Sequence, residues 1–477
     1  MRIREKICNF ASPMAIILTI LLNAYYFVSF TDKVGSTHYA LSEAAIERRA
    51  RYGIALDELD KAVSEVYVDS IRRGGGEVVH CSRWMNGATV LMSDSLAGKM
   101  AEWNFIAEVS LTHNLSTKNR RTKKFRSNIA QRPESRNSER QNLLHLAGYK
   151  GEGIIISVID VGFPAVDTAV CYDSLRQEGR LIGKYDLASS TISIDSMLVN
   201  HGTNCLSALA AQLPNYTGAA PQAKYLLIRS EEYEHECPKE GDNWIAAVEL
   251  SDSLGADIIS TSLGYYIFDD SLFNYEYRYL DGKTYRPSQA ATIAARKGML
   301  VCVAAGNSGT NKDWPWIGVP GDADSILTVG AVQADSLRAS FSSYGPTADG
   351  RTKPDVMALG APACLVDPAT GSIRYANGTS FACPQIAGLA ACLWSAFPQA
   401  TAMEIRERIL RSADRYHIPD YFYGYGIPDG WRAYELELPT GVERVMINEQ
   451  TRKFMLNGSV YVERNGSIYT LLGEQVR

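Results

Sequence analysis

The distribution of apolar and polar residues predicts an alternation of strands and helices through the middle of the chain. Continuous apolar runs at 154–159, 225–229 and 299–304 are typical of strands that are buried on both faces. Between these runs, the segments 243–254 and 287–297 repeat their apolar residues with a helical period. This order predicts an α/β domain with a largely parallel sheet flanked by helices.

A second, smaller pattern precedes this domain. Strand and helix signals follow one another as β-α-β-β-α-β once an additional charged helix at 41–52 is set aside. That order is typical of a split βαβ unit. We therefore expect a small α+β domain over 25–112, which begins with a strand at 25–30 and ends with a strand at 105–111. The pattern alone allows either a removable domain or an accessory domain that stays attached.

The ends of the chain and the connection between the two domains have their own compositions. Residues 1–24 contain basic residues followed by an apolar run, which is the layout of a secretory signal peptide cleaved near residue 24. A membrane anchor is the alternative, because the apolar character continues to Phe30. Residues 113–140 are rich in Lys, Arg, Ser and Asn, which predicts an exposed linker that proteases can cut. After the α/β domain at 141–436, two Asn-Gly steps predict a small β segment over 437–477. That segment either packs on the main domain or serves in sorting or attachment.

Charge and cysteine content narrow the classes of function. The 477-residue chain has a net charge of −5, which argues against a general nucleic-acid-binding protein. Its nine cysteines show no Cys-x-x-Cys pair and no regular spacing. They therefore predict neither a zinc site nor a disulfide framework.

Four polar residues stand where a shared site would form. Asp160 and Asn307 each follow an apolar strand run, and His201 opens a helix of small residues. Ser380 lies where a strand-like run gives way to an apolar helix, whose free N–H groups favour negative charge. The carboxyl ends of parallel strands meet at one edge of a sheet, so we expect these residues to converge. The order Asp, His, Ser is a known order for an acid, a base and a nucleophile, although each residue alone is also common in turns and helix caps.

Four motifs in this order resemble the subtilisin-like serine proteases, the subtilase family. They are Val-Ile-Asp-Val-Gly at 158–162, His-Gly-Thr at 201–203, Ala-Ala-Gly-Asn at 304–307 and Gly-Thr-Ser-Phe-Ala-Cys-Pro at 378–384. The resemblance implies a secreted serine endopeptidase that is made as a zymogen and acts on polypeptides. It also implies that the small α+β domain is a propeptide, which inhibits the active site until it is removed.

The resemblance further implies roles for individual residues. Asp160, His201 and Ser380 would form the triad, and the side-chain amide of Asn307 would donate to the oxyanion. Two segments would pair with an extended substrate as an added β-strand: Ser262, Leu263 and Gly264, and Ala304, Ala305 and Gly306. Structural calcium is an expectation from the family alone, because the sequence has no compact acidic loop of EF-hand type.

Two positions depart from the family pattern. Val161 replaces a common hydroxyl residue that can support the aspartate, so the orientation of the Asp160 carboxylate would depend on other groups. Tyr265 stands where many relatives have glycine, and with Tyr266 it would narrow the cleft. The aromatic run from 273 to 285 is expected to pack as a surface insertion.

These departures keep a catalytically impaired peptide-binding protein as the main rival function. A lipase-like hydrolase is a weaker rival, because the Ser380 motif lacks the second glycine of a Gly-x-Ser-x-Gly elbow. Cys205 follows His201 by one helical turn and is expected to lie against it, and Cys383 is expected to be a buried thiol near Ser380. We expect a bulky reagent on Cys205 to slow catalysis.

Overall fold

A computed structural model describes residues 23–114, 143–188, 193–195, 199–232 and 235–437, together with four strands between 451 and 476. The chain divides into two units, Met1–Leu436 and Glu437–Arg477. Most of the predicted signal peptide and of the predicted basic linker falls on residues 1–22 and 115–142, outside the described residues. Within the described part, no helix has both the length and the apolar character needed to cross a bilayer.

The N-terminal part folds as the predicted split βαβ unit. Its elements are β1 (Asn23–Phe30), α1 (Glu43–Tyr52), α2 (Glu65–Arg73), β2 (Glu77–Ser82), β3 (Gly87–Ser93), α3 (Asp94–Met100) and β4 (Ile106–Asn114). The strands are antiparallel and stand in the order β2-β3-β1-β4. Apolar residues of α2 and α3, such as Val68 and Met100, join those of β1 and β3 in one buried cluster.

The first and the last strand of this domain in sequence order, β1 and β4, are both longer than predicted. β1 begins at Asn23, and β4 continues to Asn114. Ala24 lies opposite Asn114, and Tyr25 lies opposite His113, so each extension supplies the partner of the other. The sequence did not predict this pairing, because the residues at the end of β4 are polar. A cut near Ala24 would remove the first residues of β1.

The main domain is built on a sheet of seven parallel strands. They are β5 (Ile155–Asp160), β6 (Leu181–Asp186), β9 (Lys224–Arg229), β10 (Ile258–Thr261), β11 (Leu300–Ala304), β12 (Leu327–Gln333) and β13 (Val356–Ala361). Their order across the sheet is β13-β12-β11-β10-β5-β9-β6. Two antiparallel pairs lie outside it: β7 (Gln212–Leu213) with β8 (Tyr216–Thr217), and β14 (Ala363–Val366) with β15 (Ile373–Ala376).

Helices cover both faces of this sheet. They are α4 (Asp173–Gln177), α5 (His201–Ala210), α6 (Pro238–Ser253), α7 (Arg286–Arg296), α8 (Thr379–Ala396), α9 (Ala402–Ser412) and α10 (Gly430–Glu435). Along β11, Leu300 and Cys302 join the cluster that contains α5, α8 and α9, whereas Val301 and Val303 join the cluster that contains α6 and α7. Strand side chains alternate between the two faces, which explains why the strand sequences are continuously apolar.

The N-terminal domain docks on α6 of the main domain through a buried ionic cluster. Strands β1, β2 and β4 contact α6. The carboxylate of Asp252 on α6 accepts from Arg49 Nη2 at 2.7 Å and from Arg83 Nη2 at 2.6 Å, and it also bonds Arg48. Glu249, one turn earlier, accepts from the backbone N–H of Arg83 at 2.9 Å. Two of the three arginines lie on α1, the helix that is additional to the split βαβ pattern.

The C-terminal unit is a small antiparallel sheet. Its strands pair in sequence order: β16 (Thr451–Leu456), β17 (Ser459–Arg464), β18 (Ser467–Thr470) and β19 (Gln475–Val476). The Asn-Gly steps fall between these strands, as the hairpin signals predict. A further strand predicted at 444–447 lies outside the described residues.

Candidate active site

An aspartate and a histidine meet at the edge of the sheet where strand β5 ends. Asp160 is the last residue of β5, and His201 is the first residue of α5. Asp160 Oδ1 lies 2.7 Å from His201 Nδ1, and both side chains are buried. Burial lowers the pKa of His201, but the Asp160 carboxylate and the Cys205 side chain together outweigh it, so this pKa is raised well above its ordinary value. The second ring nitrogen, Nε2, therefore lies on the side of the ring away from Asp160.

Only one oxygen of this carboxylate is held by the described residues. Asp160 Oδ1 also accepts from the backbone N–H of Val161 at 2.8 Å. Asp160 Oδ2 is buried and has no hydrogen-bond partner within the described part of the chain. The described residues contain no group that supports Oδ2 in place of the missing hydroxyl, so the expectation that other groups orient the carboxylate stays a prediction.

Ser380 lies in the first turn of α8 and borders the cleft. Gly378 precedes the helix with a φ of 161°, which is extended backbone, and an added Cβ would first meet an atom at 3.5 Å, an ordinary contact. Ser380 is 7% exposed, so it is reached only through the cleft.

A proline makes the carbonyl group of Ser380 available to neighbouring elements. Pro384 lies inside α8 and has no N–H to donate to Ser380 O. Ser262 Oγ donates to that oxygen at 2.8 Å, and Cys205 Sγ approaches it at 3.4 Å. The residue that follows strand β10 and a residue of helix α5 therefore both contact the backbone of Ser380.

Thr379 orients the side chain of Asn307. The backbone N–H and the hydroxyl of Thr379 donate to Asn307 Oδ1 at 2.9 and 3.0 Å. The hydroxyl of Thr379 also accepts from the N–H of Gly306 at 3.2 Å. Because the amide oxygen is occupied, the NH₂ group of Asn307 is the end left to donate, and Asn307 lines the cleft. Sequence reasoning missed this role of Thr379, although its position between Gly378 and Ser380 was a usable signal.

A cleft of about 400 Å³ connects these residues. His201, Asn307 and Ser380 line it, and so do five of the six residues predicted to bind substrate: Ser262, Leu263, Gly264, Ala304 and Gly306. The sixth, Ala305, is fully buried, and its N–H donates to Val329 O at 2.9 Å. Ala305 is thus a core residue rather than part of the cleft wall.

The aromatic residues beside the cleft divide into two groups. Tyr265 is buried, and its hydroxyl donates to Glu231 Oε1 at 2.7 Å, so the expected narrowing of the cleft by Tyr265 is wrong. Tyr266 does line the cleft, and its ring stacks on Trp314 with centroids 5.2 Å apart. The aromatic run packs as the predicted insertion, in which Tyr275 stacks on Tyr285 at 3.8 Å.

Cys205 lies against the histidine, as predicted. Its Sγ is 3.9 Å from His201 Nδ1, and burial raises the pKa of this thiol to about 11. Cys383 is buried with its Sγ at 3.6 Å from Thr261 O. No disulfide joins the eight cysteines of the described residues.

Asp160 and His201 also belong to a group of side chains in the described part of the chain whose atoms lie close enough together to hold a metal ion. That group is Asp160, His201 and Cys205. A nitrogen, a sulfur and a single carboxylate do not fit calcium, which takes six to eight oxygen ligands. The calcium expected from the family resemblance stays a prediction.

Comparison with known proteins assigns the chain to a family. Residues 151–426, more than half of the chain, match the subtilase family, Peptidase S8. The chain belongs to the subtilase family of serine endopeptidases. Residues 25–128 match the Bacteroidota peptidase S8 propeptide domain, so the small α+β domain of this subtilase is its propeptide domain.

Individual relatives cover different shares of the molecule. Serine protease AprX of Bacillus subtilis is 32% identical over 58% of this chain, and the alignment spans 65% of AprX. Subtilisin DY of Bacillus licheniformis is 30% identical over 59% of this chain, and the alignment spans 90% of that protein. The crystal structure of MycP1 from the ESX-1 type VII secretion system covers 68% of this chain with a TM-score of 0.50 and 20% identity, which is a likeness of fold.

Proposed function

We propose that this subtilase cuts polypeptides through an acyl-enzyme at Ser380, and that it is exported and made as a zymogen. The observation that carries the proposal is the bond between Asp160 and His201 Nδ1, because it turns His201 Nε2 away from the carboxylate. His201, Ser380 and Asn307 then line the same cleft. Family membership and the propeptide domain support the same conclusion.

The proposed reaction uses each of these groups at a stated atom. His201 Nε2 takes the proton of the Ser380 hydroxyl as the oxygen attacks the peptide carbonyl carbon. Asp160 stabilises the imidazolium that forms. The Asn307 amide and the Ser380 backbone N–H donate to the oxyanion, and losing one such donor typically lowers turnover about a hundredfold to a thousandfold. His201 then gives its proton to the leaving amine, and a water molecule cleaves the acyl-enzyme by the same route.

Inhibition by the propeptide is the second part of the proposal. The N-terminal domain is docked on α6 through the buried ionic cluster around Asp252. The chain passes from this domain to the catalytic domain through residues 115–142, which contain most of the basic linker. A cut in this linker would break the covalent connection between the two domains. Removal of the propeptide domain would then open the cleft.

The test compares the chain after residue 22 with its Ser380→Ala variant. Each protein is sized on a gel over time, exposed to an active-site-directed fluorophosphonate, and mixed with unfolded casein. We expect only the unaltered protein to shorten within 115–142, to take the label and to digest casein. If both folded proteins stay full length, unlabelled and inert, the proposal is wrong and a peptide-binding role replaces it. N-terminal sequencing of the exported protein tests the signal peptide.

A further inference from the structure

Residues 42–61 form a segment of the propeptide domain that packs with the catalytic domain. The segment contains α1 and the turn after it. Tyr52 and Ile54 pack in the hydrophobic cluster of the catalytic domain that contains α8, and the ring of Tyr52 lies 5.9 Å from that of Trp394, centroid to centroid. The cluster inside the propeptide domain instead joins residues of β1, β3, α2 and α3. The apolar side of the segment thus belongs to the core of the other domain.

The catalytic domain leaves room for this segment at the ends of two helices. Gly255 follows α6 and Gly298 follows α7, and both have a φ of 87°, a region that favours glycine. A Cβ at Gly255 would come within 2.8 Å of Ala44 Cβ, and one at Gly298 within 2.6 Å of Ile54 Cδ1. Side chains at these two positions would therefore push the segment away. We call the surface that holds the segment the socket, which consists of Asp252, Gly255, Ala256, Lys297, Gly298 and Trp394.

Buried polar contacts connect the segment to both ends of the socket. At one end, Arg48 bonds the carboxylate of Asp252 and the backbone carbonyl of Ala256. At the other end, Lys297 Nζ donates to Asp60 Oδ2 at 2.8 Å. All of these side chains are buried, so their polar groups depend on one another. The socket therefore selects a ligand by charge as well as by shape.

The segment is also held in shape by its own contacts. Ser42 Oγ accepts from the N–H of Ala45 at 3.2 Å and caps α1. Asp60 accepts from Arg49 Nη2 at 2.7 Å and from the N–H of Asp57 at 3.0 Å, which folds the turn back on the helix. A ten-residue helix is marginal in water by itself, and such contacts lower the cost of ordering it on a surface.

The socket and the cleft lie at opposite edges of the parallel sheet. Gly255 and Gly298 come just before β10 and β11, whereas Ser262 follows β10 and lines the cleft. At about 3.3 Å per residue, the four residues of β10 separate the two edges by about 13 Å. Ser380 and Trp394 lie near opposite ends of α8, about 21 Å apart along the helix axis. A ligand in the socket therefore leaves the cleft open.

Removal of the propeptide domain would uncover the socket. Asp252, Lys297 and Trp394 are buried while the segment is present. Without the segment, Asp252 and Lys297 lose the partners described above, and the ring of Trp394 loses Tyr52. A buried group that loses its ion-pair partner is strongly destabilising. The uncovered catalytic domain is thus expected to favour a ligand that restores these contacts.

We propose that the socket is a binding site in its own right for segment 42–61, and that it takes this segment from a released propeptide domain of a second copy of the chain. The ligand is a short helix that presents an arginine to Asp252 and a carboxylate to Lys297. Binding stabilises the catalytic domain and does not close the cleft. This inference goes beyond the proposed protease function, because binding at the socket requires no catalysis.

The test supplies segment 42–61 as a fluorescent synthetic peptide to the chain after residue 22. This chain carries Ser380→Ala against self-cleavage, and Arg48→Glu with Tyr52→Asp, which place acids against the socket and empty it. We expect saturable binding by fluorescence anisotropy and a higher melting temperature of the emptied chain. The Ser380→Ala chain with its own segment in place should bind the peptide about a hundredfold more weakly, because a tethered segment competes at a high effective concentration.

Two peptides with one reversed charge provide the matched comparison. Arg48→Glu alters the buried arginine that bonds Asp252, whereas Arg51→Glu alters an exposed arginine of the same helix. Arg48→Glu should weaken binding to the emptied chain by about a hundredfold, and Arg51→Glu by about twofold or less. Equal affinities of these two peptides, or no binding of the unaltered peptide to the folded emptied chain, would show that the proposal is wrong.

Two further measurements cover the remaining outcomes. If the emptied chain does not fold alone, the unaltered and Arg51→Glu peptides should restore folding and the Arg48→Glu peptide should not; failure of the unaltered peptide to do so refutes the proposal. In the emptied chain that keeps Ser380, saturating peptide should leave the rate of fluorophosphonate labelling unchanged, and a slower rate would contradict separate sites. No label at all refutes the proposed protease function alone, because the binding measurements use Ser380→Ala.

Discussion

Replacing Asp252 by alanine should loosen the propeptide domain from the catalytic domain. Asp252 is fully buried on α6, and its carboxylate binds three guanidinium groups of the propeptide domain, those of Arg48, Arg49 and Arg83. The substitution removes the shared acceptor and leaves three buried cations. All three arginines belong to the propeptide domain, so the substitution destabilises the state in which the two domains are docked.

The size of the free-energy loss in Asp252→Ala depends on the acidic partners that the arginines retain. Arg49 retains Asp60 at 2.7 Å, and Arg83 retains Glu249 at 3.8 Å. Removing one partner of a buried ion pair typically costs about 3–5 kcal/mol. The retained acceptors place Asp252→Ala at the lower end, about 3 kcal/mol, which is a change of roughly 150-fold in the equilibrium between docked and released domains.

The assay uses the precursor with Ser380→Ala, in which self-cleavage is removed. The free energy of the first unfolding transition in urea is compared with and without Asp252→Ala. Asp69→Ala is the matched control, because Asp69 pairs with Arg72 at the surface, where their side chains are 57% and 53% exposed, respectively. Such exposed ion pairs contribute about 1 kcal/mol or less to stability. If Asp252→Ala costs no more than this control, the ionic cluster does not hold the domains together.

Four further outcomes follow from the titratable groups and thiols. Burial lowers the pKa of His113 to about 4, so protonation of this side chain opposes docking of the propeptide domain. The melting temperature of the precursor should therefore fall as pH drops from about 6.5 to about 4. His113→Phe should flatten this pH dependence of the melting temperature, and an unchanged slope would contradict the role of His113. Asp160 raises the pKa of His201, so kcat/KM should rise with pH through a value above 6.5, and a limb below that pH would count against the pair. Val161→Thr should keep or raise stability if its hydroxyl reaches Asp160 Oδ2, whereas a loss above about 1 kcal/mol in urea unfolding would show that it does not. Burial raises the pKa of Cys205 to about 11, so alkylation should be slow and, once complete, should slow hydrolysis; full activity after complete modification rules this out.

The sequence predicted the architecture where one local pattern dominates. The run ending at Asp160 is apolar at nearly every position, and a strand buried on both faces requires that. Strands β12 and β13 were missed, because Gly330 and Gly360 interrupt their patterns. These two glycines lie where another side chain would collide: a Cβ at Gly330 would come within 2.5 Å of Met357, and one at Gly360 within 2.6 Å of Ala331. Their strand assignment thus depends on neighbours that are distant in sequence.

The same distinction separates the parts of the candidate site. The approach of Asp160 to His201 was predictable, because the ends of parallel strands meet at one edge. The orientation of Asn307 by Thr379 was not predictable, because it joins the loop after β11 to the start of α8 across 72 positions. The position of Glu231 beside the cleft was not predictable either, because Glu231 bonds Tyr265, which lies 34 positions away.

The burial of helix α8 has a consequence for how the enzyme fails. This helix is enclosed by α5 and by strands β10 to β13, so its amides exchange with solvent only when the domain opens as a whole. Displacement of Ser380 from the cleft should therefore coincide with global unfolding, and heat should inactivate the enzyme in a single step.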